Sequence, residues 1–167
     1  MENKYVKVIN SILGTNFNCN EIEDDKFLKK VSVDVLEKLV ENNLLDEDNW
    51  YYVSFNPNLT LDFILKHHKN LSFYTLIVGE YVKDDILKQI PSEIVLNSGL
   101  TDDIICETDY DEFGWKEYEY IFDAYPNFID WEYLVENFKY IFKNLEVDEE
   151  FITKYSKYYS KYLVDSK

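Results

Sequence analysis

The sequence predicts an all-α protein, an irregular solenoid-like stack of short helical hairpins, and three observations lead there. Punctuating residues are scarce: four Gly and three Pro in 167 residues suit helices joined by tight connections better than a many-turned β-sandwich. A helix-start phrase recurs six times along the chain. An aromatic residue stands nine positions before four of those starts. The length suits one domain over residues 1–167, and 46% hydrophobic residues are enough to fill a single core.

The phrase is an apolar residue, then Ser, Thr, Asp or Lys, any residue, an acid and two apolar residues. Its copies begin at Val31, Leu59, Val82, Leu100, Ile129 and Val147. Ser32, Thr60, Thr101, Asp130 and Asp148 are N-cap types whose side-chain oxygen accepts a bond from an orphan amide, and Lys83 is the exception. The acid two residues on meets the positive end of the helix dipole, and the apolar pair starts a buried stripe.

The elements follow in order. Tyr5, Val8, Ile9, Ile12 and Leu13 keep helical spacing and stop at Gly14, which makes residues 1–20 an N-terminal capping helix. Trp50, Phe73, Tyr120 and Phe138 each lead a short first helix. Val53, Leu76 and Ile141 lie one turn further along the same face, whereas Asp123 breaks the pattern after Tyr120. Asn56-Pro57-Asn58 and Pro126-Asn127 supply turns before a capped second helix. Residues 148–163 form a longer C-terminal capping helix. Pairs of this kind cannot bury their apolar faces alone and must stack on neighbours.

Thirty-three acids against seventeen basic residues, all of them Lys, leave a net charge of −16. Such a surface repels nucleic-acid backbones and anionic membranes and favours a protein partner with a basic surface. The amino-acid usage, Lys without Arg and a single alanine at Ala124, is that of an AT-rich genome. Cys19 and Cys106 have no CxxC spacing and are expected as buried thiols. No leader or membrane-spanning run is seen, so a soluble, cytoplasmic protein is expected.

The stretch Trp50-Tyr51-Tyr52-Val53-Ser54-Phe55-Asn56-Pro57-Asn58-Leu59-Thr60-Leu61-Asp62-Phe63-Ile64 resembles a tandem repeat of large DNA viruses and phages, whose units read W-x-x-L-S-x-N-P-N-I-T-W-E-x-I. Phe73 to Leu87 keeps the apolar frame but has Gly79-Glu80-Tyr81 in place of the turn. The resemblance implies a helical repeat of viral or phage origin, acting in the host cytosol, and brings no catalytic residue.

Candidate chemistry is sparse. Asp109, Asp111 and Gly114 fit half of a calcium loop, but Phe113 and Tyr120 occupy ligand positions five and twelve, so a solvated acidic loop and no metal are expected. His67 and His68, without a nucleophile or metal-ligand spacing, read as helix-terminal cations. No cofactor and no catalysis are therefore expected. Most of the acids Asp46, Glu47, Asp48, Asp102, Asp103, Asp109, Asp111, Glu112, Asp148 and Glu149 stand just before or at helix starts, where they either cap helices and solvate the surface or form a binding face. A stack of helices would set them along one edge at phosphate-like intervals, as in a nucleic-acid mimic, and with a viral origin this implies an inhibitor or adaptor against a basic host protein, of the nucleic-acid-binding or defence kind. Tyr155, Tyr158, Tyr159 and Tyr162 form a stripe on the last helix that is either end cap or docking face, with Tyr158 and Tyr159 as partner-binding candidates. The alternative is a scaffold protein that self-associates through an aromatic surface.

Overall fold

The computed structural model describes residues 4–14, 16, 24–107, 115–142 and 149–162. It is all-α, with no strand among the described residues. The helices are α1 (Lys4–Leu13), α2 (Asp24–Leu28), α3 (Val33–Glu41), α4 (Glu47–Val53), α5 (Leu61–His67), α6 (Phe73–Val78), α7 (Asp84–Leu87), α8 (Ser92–Leu96), α9 (Leu100–Glu107), α10 (Glu119–Ala124), α11 (Trp131–Phe142) and α12 (Glu149–Tyr159). Short 3₁₀ turns lie at His68–Asn70, Trp115–Tyr118, Pro126–Phe128 and Ser160–Tyr162. The chain forms two compact units, Met1–Ile90 and Pro91–Lys167.

Local chemistry sets the helix starts. Ser32, Thr60, Lys83 and Asp130 each stand immediately before a helix. The Thr60 side chain accepts from the Phe63 amide at 3.3 Å, and the Asp130 carboxylate accepts from the Tyr133 amide at 2.9 Å. The α4 start carries a capping box: Asp46 accepts from the Asn49 amide at 3.0 Å while the Asn49 side chain accepts from the Asp46 amide at 3.1 Å. Ser32 has the extended backbone of a cap but makes no side-chain cap bond. Thr60→Ala is therefore expected to lower stability by about 1 kcal/mol. Ser32→Ala should stay within about 0.5 kcal/mol of wild type. Urea unfolding of the two variants checks the difference, and equal losses would show that the hydroxyl bond is not the operative term.

Two helix starts depart from expectation. Helix α9 begins at Leu100, so Thr101 lies within its first turn and does not cap it. The turn before it ends on Gly99 at a φ of 82°, which glycine adopts without a Cβ clash, and the Gly99 carbonyl takes the Asp103 amide at 2.9 Å. The buried Thr101 hydroxyl instead accepts the Asp130 amide, 2.9 Å away at the start of α11. The first helix expected around Phe138 is not separate, because α11 runs unbroken through it to Phe142 with no Gly or Pro to interrupt it. Asp148 lies outside the described residues, and α12 opens next to it at Glu149.

Packing inside the N-terminal unit explains the Ser-x-Asn-Pro-Asn stretch. Asn56, fully buried, donates through Nδ2 to the carbonyls of Leu28 at 2.7 Å and Val31 at 2.9 Å, and its Oδ1 accepts the Asn58 amide at 2.8 Å. The Asn58 side chain donates to the Lys30 carbonyl at 3.0 Å. One turn thus holds the connection between α2 and α3. Ser54, equally buried, donates to the Trp50 carbonyl at 3.0 Å and accepts the Ser72 amide at 2.9 Å, where Ser72 caps α6. These two residues tie the helix pair α4–α5 to the segment before it and to the helix after it.

In the C-terminal unit the core is aromatic. Phe122 of α10, Trp131 of α11, and Phe151 and Tyr155 of α12 are buried with Trp115, their ring centroids 4.8 to 6.1 Å apart along the contacts. Tyr120 is exposed, and Ile121 and Phe122 face inward.

Candidate functional site

The exposed acids stand where helices begin. Asp46 caps α4, and Glu47 and Asp48 fill its first turn. Asp34 and Asp62 hold the same place in α3 and α5, and both are exposed. These two helices are linked: Glu37 of α3 takes the Lys66 ammonium at 2.6 Å and lies 3.3 Å from His67 Nε2, both from the end of α5. In the C-terminal unit, exposed Asp102 and Asp103 lie in the first turn of α9 and exposed Glu132 in that of α11. The starts of these two helices are linked by the Thr101–Asp130 bond and by the Tyr133 hydroxyl, which donates to Asp102 and is thereby held above the usual phenol range. Glu149, also exposed, opens α12. Asp109, Asp111, Glu112 and Asp148, and the calcium-loop-like segment, lie outside the described residues.

Neither expected tyrosine is a plain surface group. Tyr159 is only 5% exposed and packs near Trp131, so it belongs to the core and cannot reach a partner. Burial raises its hydroxyl above the usual phenol range. Tyr158 is half-buried, stacked on Trp131 at 5.2 Å and 10°. The Tyr155 hydroxyl donates to Asp123 at 2.8 Å beside Lys154, whose ammonium also reaches Asp123 at 2.8 Å and bonds Glu119. The apolar face of α12 is thus the inner wall of its unit.

His67 also differs from a solvated helix-terminal cation. It is buried, with its ring 4.5 Å from Phe63 and 5.4 Å from Trp50. The burial of Glu37 acts to raise its carboxyl, but the hydrogen bonds from Lys66 and His67 and their charges outweigh it and hold the group below the ordinary 4.5. A lowered folded value means that Glu37 stabilises the fold fully above that ordinary value and loses the contribution as pH falls through the lowered one. Glu37→Ala should cost about 1 kcal/mol at neutral pH. In urea unfolding its gap to wild type should narrow as pH is taken from about 6 to about 3. A gap that stays constant would remove the ionised carboxylate from the account.

An open depression of about 390 Å³ lies among Lys30, Ser32, Val33, Asp34, Asn58 and Thr60, against the paired starts of α3 and α5. Among the described residues no three His, Cys, Asp or Glu side chains gather closely enough to hold a metal ion. No described helix is long and apolar enough to cross a membrane. Cys106, expected to be buried, is exposed, its Sγ 4.0 Å from Asp102; Cys19 lies outside the described residues.

Sequence reading missed the aromatic surface of the N-terminal unit. Tyr51, Phe55 and Tyr81 meet edge to face, with Tyr51–Phe55 at 5.0 Å and Phe55–Tyr81 at 5.1 Å. Lys29 lies over the Phe55 and Tyr52 rings at 4.7 and 5.1 Å. The available signal was the aromatic run itself, Tyr51, Tyr52 and Phe55. No family model, curated protein or solved structure matches this chain.

Proposed function

We propose that the chain is a non-catalytic protein-binding module whose hairpins stack in solenoid fashion within each unit, and that it acts as a viral or phage inhibitor or adaptor in the host cytosol. Its acids engage a basic surface of a host protein, of the nucleic-acid-binding or defence kind, in the manner of a nucleic-acid mimic. One observation carries this reading. Equivalent exposed acids sit at the starts of helices linked by an ion pair or a hydrogen bond, Asp34 with Asp62 in one unit and Asp102 and Asp103 with Glu132 in the other. Repeated negative charge on a rigid edge steers a cationic surface and discriminates against anionic ones.

The test is capture of host proteins on the tagged chain at about 50 mM salt, with stepwise elution to about 500 mM and duplex DNA as competitor. The reading expects basic proteins that leave with salt and with DNA. Binding indifferent to both would sink it. A second reading, a scaffold that self-associates through aromatic side chains, is favoured by the 52% exposure of Tyr51. Sedimentation of a clean monomer at high concentration would remove that second reading.

A further inference from the structure

We infer that the aromatic surface formed by Tyr51, Phe55 and Tyr81 is a docking site for arginine side chains of a basic protein partner. This rests on the proposed acidic-module reading and names the chemistry of its contact. Three features of the N-terminal unit lead to it.

The rings are built to stay in the open. Tyr51 and Tyr81 are 52% and 40% exposed, although each touches Phe55 edge to face. The backbone before Tyr81 is unusual. Glu80 has a φ of 53°, in the left-handed region that a residue with an ordinary side chain seldom adopts. Gly79 admits the ring, since a Cβ at that position would stand 2.5 Å from Tyr81 ring atoms and from the Thr75 carbonyl. Gly79-Glu80-Tyr81 occupies the place where the preceding copy has Asn56-Pro57-Asn58, whose buried Asn56 staples the turn. At this turn the chain has an exposed aromatic where its neighbour has a structural clamp.

The faces of this cluster accept a cation. Lys29 already lies 4.7 Å from the Phe55 centroid and 5.1 Å from that of Tyr52, within the range at which ring quadrupoles attract positive charge. The surrounding charge selects the occupant. Glu47 and Asp48, both exposed, precede Tyr51 by four and three residues on α4 and so share its face, and exposed Glu80 adjoins Tyr81. A second copy of this chain would bring another −16 to the same surface and be repelled. A guanidinium satisfies both parts of the site, because it stacks on aromatic faces and pairs with carboxylates, which an ammonium does less well.

The experiment uses the full chain and two capped synthetic peptides, one of alternating Arg and Gly and one of alternating Lys and Gly, titrated by calorimetry and by NMR of labelled tyrosine rings. The Arg peptide is expected to bind more tightly than the Lys peptide and to move the Tyr51 and Tyr81 ring signals. The double variant Tyr51→Ala/Tyr81→Ala, its fold checked by circular dichroism, should weaken the Arg peptide by about tenfold, two exposed cation–π contacts being lost. Equal binding by this variant, with loss of binding in Glu47→Lys/Asp48→Lys, would overturn the ring site and leave the acidic reading standing. No binding of either peptide to the wild-type chain would overturn both. A concentration-dependent dimer in sedimentation that the double variant abolishes would assign the surface to a second copy and overturn the proposal.

Discussion

Alanine at Asn56 is expected to destabilise the N-terminal unit by about 3 kcal/mol, far more than a typical polar substitution. The side chain is fully buried and makes three hydrogen bonds, donating to Leu28 and Val31 and accepting from the Asn58 amide. Truncation leaves the buried Leu28 carbonyl without that partner and takes the acceptor from the part-buried Asn58 amide. The Val31 carbonyl keeps a contact with Asn58 Nδ2, at 3.3 Å. Orphaned buried groups of this kind cost about 1–3 kcal/mol each. Asn56→Asp should be at least as harmful at neutral pH, since it aims a carboxylate oxygen at two carbonyls, and should recover in part in acid, where the protonated group donates once. Asn58→Ala, with its bonds on the exposed edge of the same turn, should lose about 1 kcal/mol. Urea unfolding followed by circular dichroism measures all three. An Asn56→Ala loss below about 1 kcal/mol would show that the turn is not a clamp between helix pairs.

The contrast between Thr60 and Asn56 shows what the sequence could reveal. A cap is a local event: Thr60 reaches the amide three residues on, so cap type, acid and apolar pair are enough to place the start of α5, and likewise those of α3 and α11, while at α7, where Lys83 stands at the cap, the acid and apolar pair sufficed. The Asn-Pro-Asn turn was also legible as a turn. Its partners, 25 and 28 residues away, were not, because nothing in a linear pattern says which carbonyl an asparagine will find. Thr101 is the converse case, a cap-type residue drawn inside a helix and used by a segment 29 residues on. Helices α2 and α8 escaped detection because five residues hold too little of a helical period to be read. Periodicity identified the last-helix tyrosines but could not tell which of them face the core. Tyr155 and Tyr159 do, and Tyr158 is half-buried. Of the candidate acids, helix position was legible; the links between helices come only from side chains that meet in the fold, Glu37 with Lys66 and His67, and Thr101 and Asp102 with Asp130 and Tyr133.

Tyr155→Ala is expected to cost the C-terminal unit about 4 kcal/mol, as large-to-small changes at packed aromatic sites do. The ring is 2% exposed and lies within 6.1 Å of Trp115, Phe122, Trp131 and Phe151, so no neighbour can collapse into its space without breaking another ring contact. Tyr155→Phe keeps the packing and removes the hydroxyl with its bond to Asp123 and its contact with Lys154, a loss of about 1 kcal/mol. The hydroxyl should also show itself in base. Burial, and next the bond to Asp123, push the Tyr155 phenol above its usual range, while bonds to Asp123 and Glu119 do the same for the Lys154 ammonium. Groups raised in the folded state stabilise it fully below their unfolded values and lose that contribution as pH rises through the folded ones. Stability of the wild type should therefore fall as pH rises above about 10, and the fall should be shallower in Tyr155→Phe, which has one fewer raised group to ionise on unfolding. Thermal unfolding across that pH range measures both slopes. Parallel slopes would mean that Tyr155 contributes packing alone, and a Tyr155→Ala variant as stable as Tyr155→Phe would mean that the aromatic cluster does not hold α12 against α10 and α11.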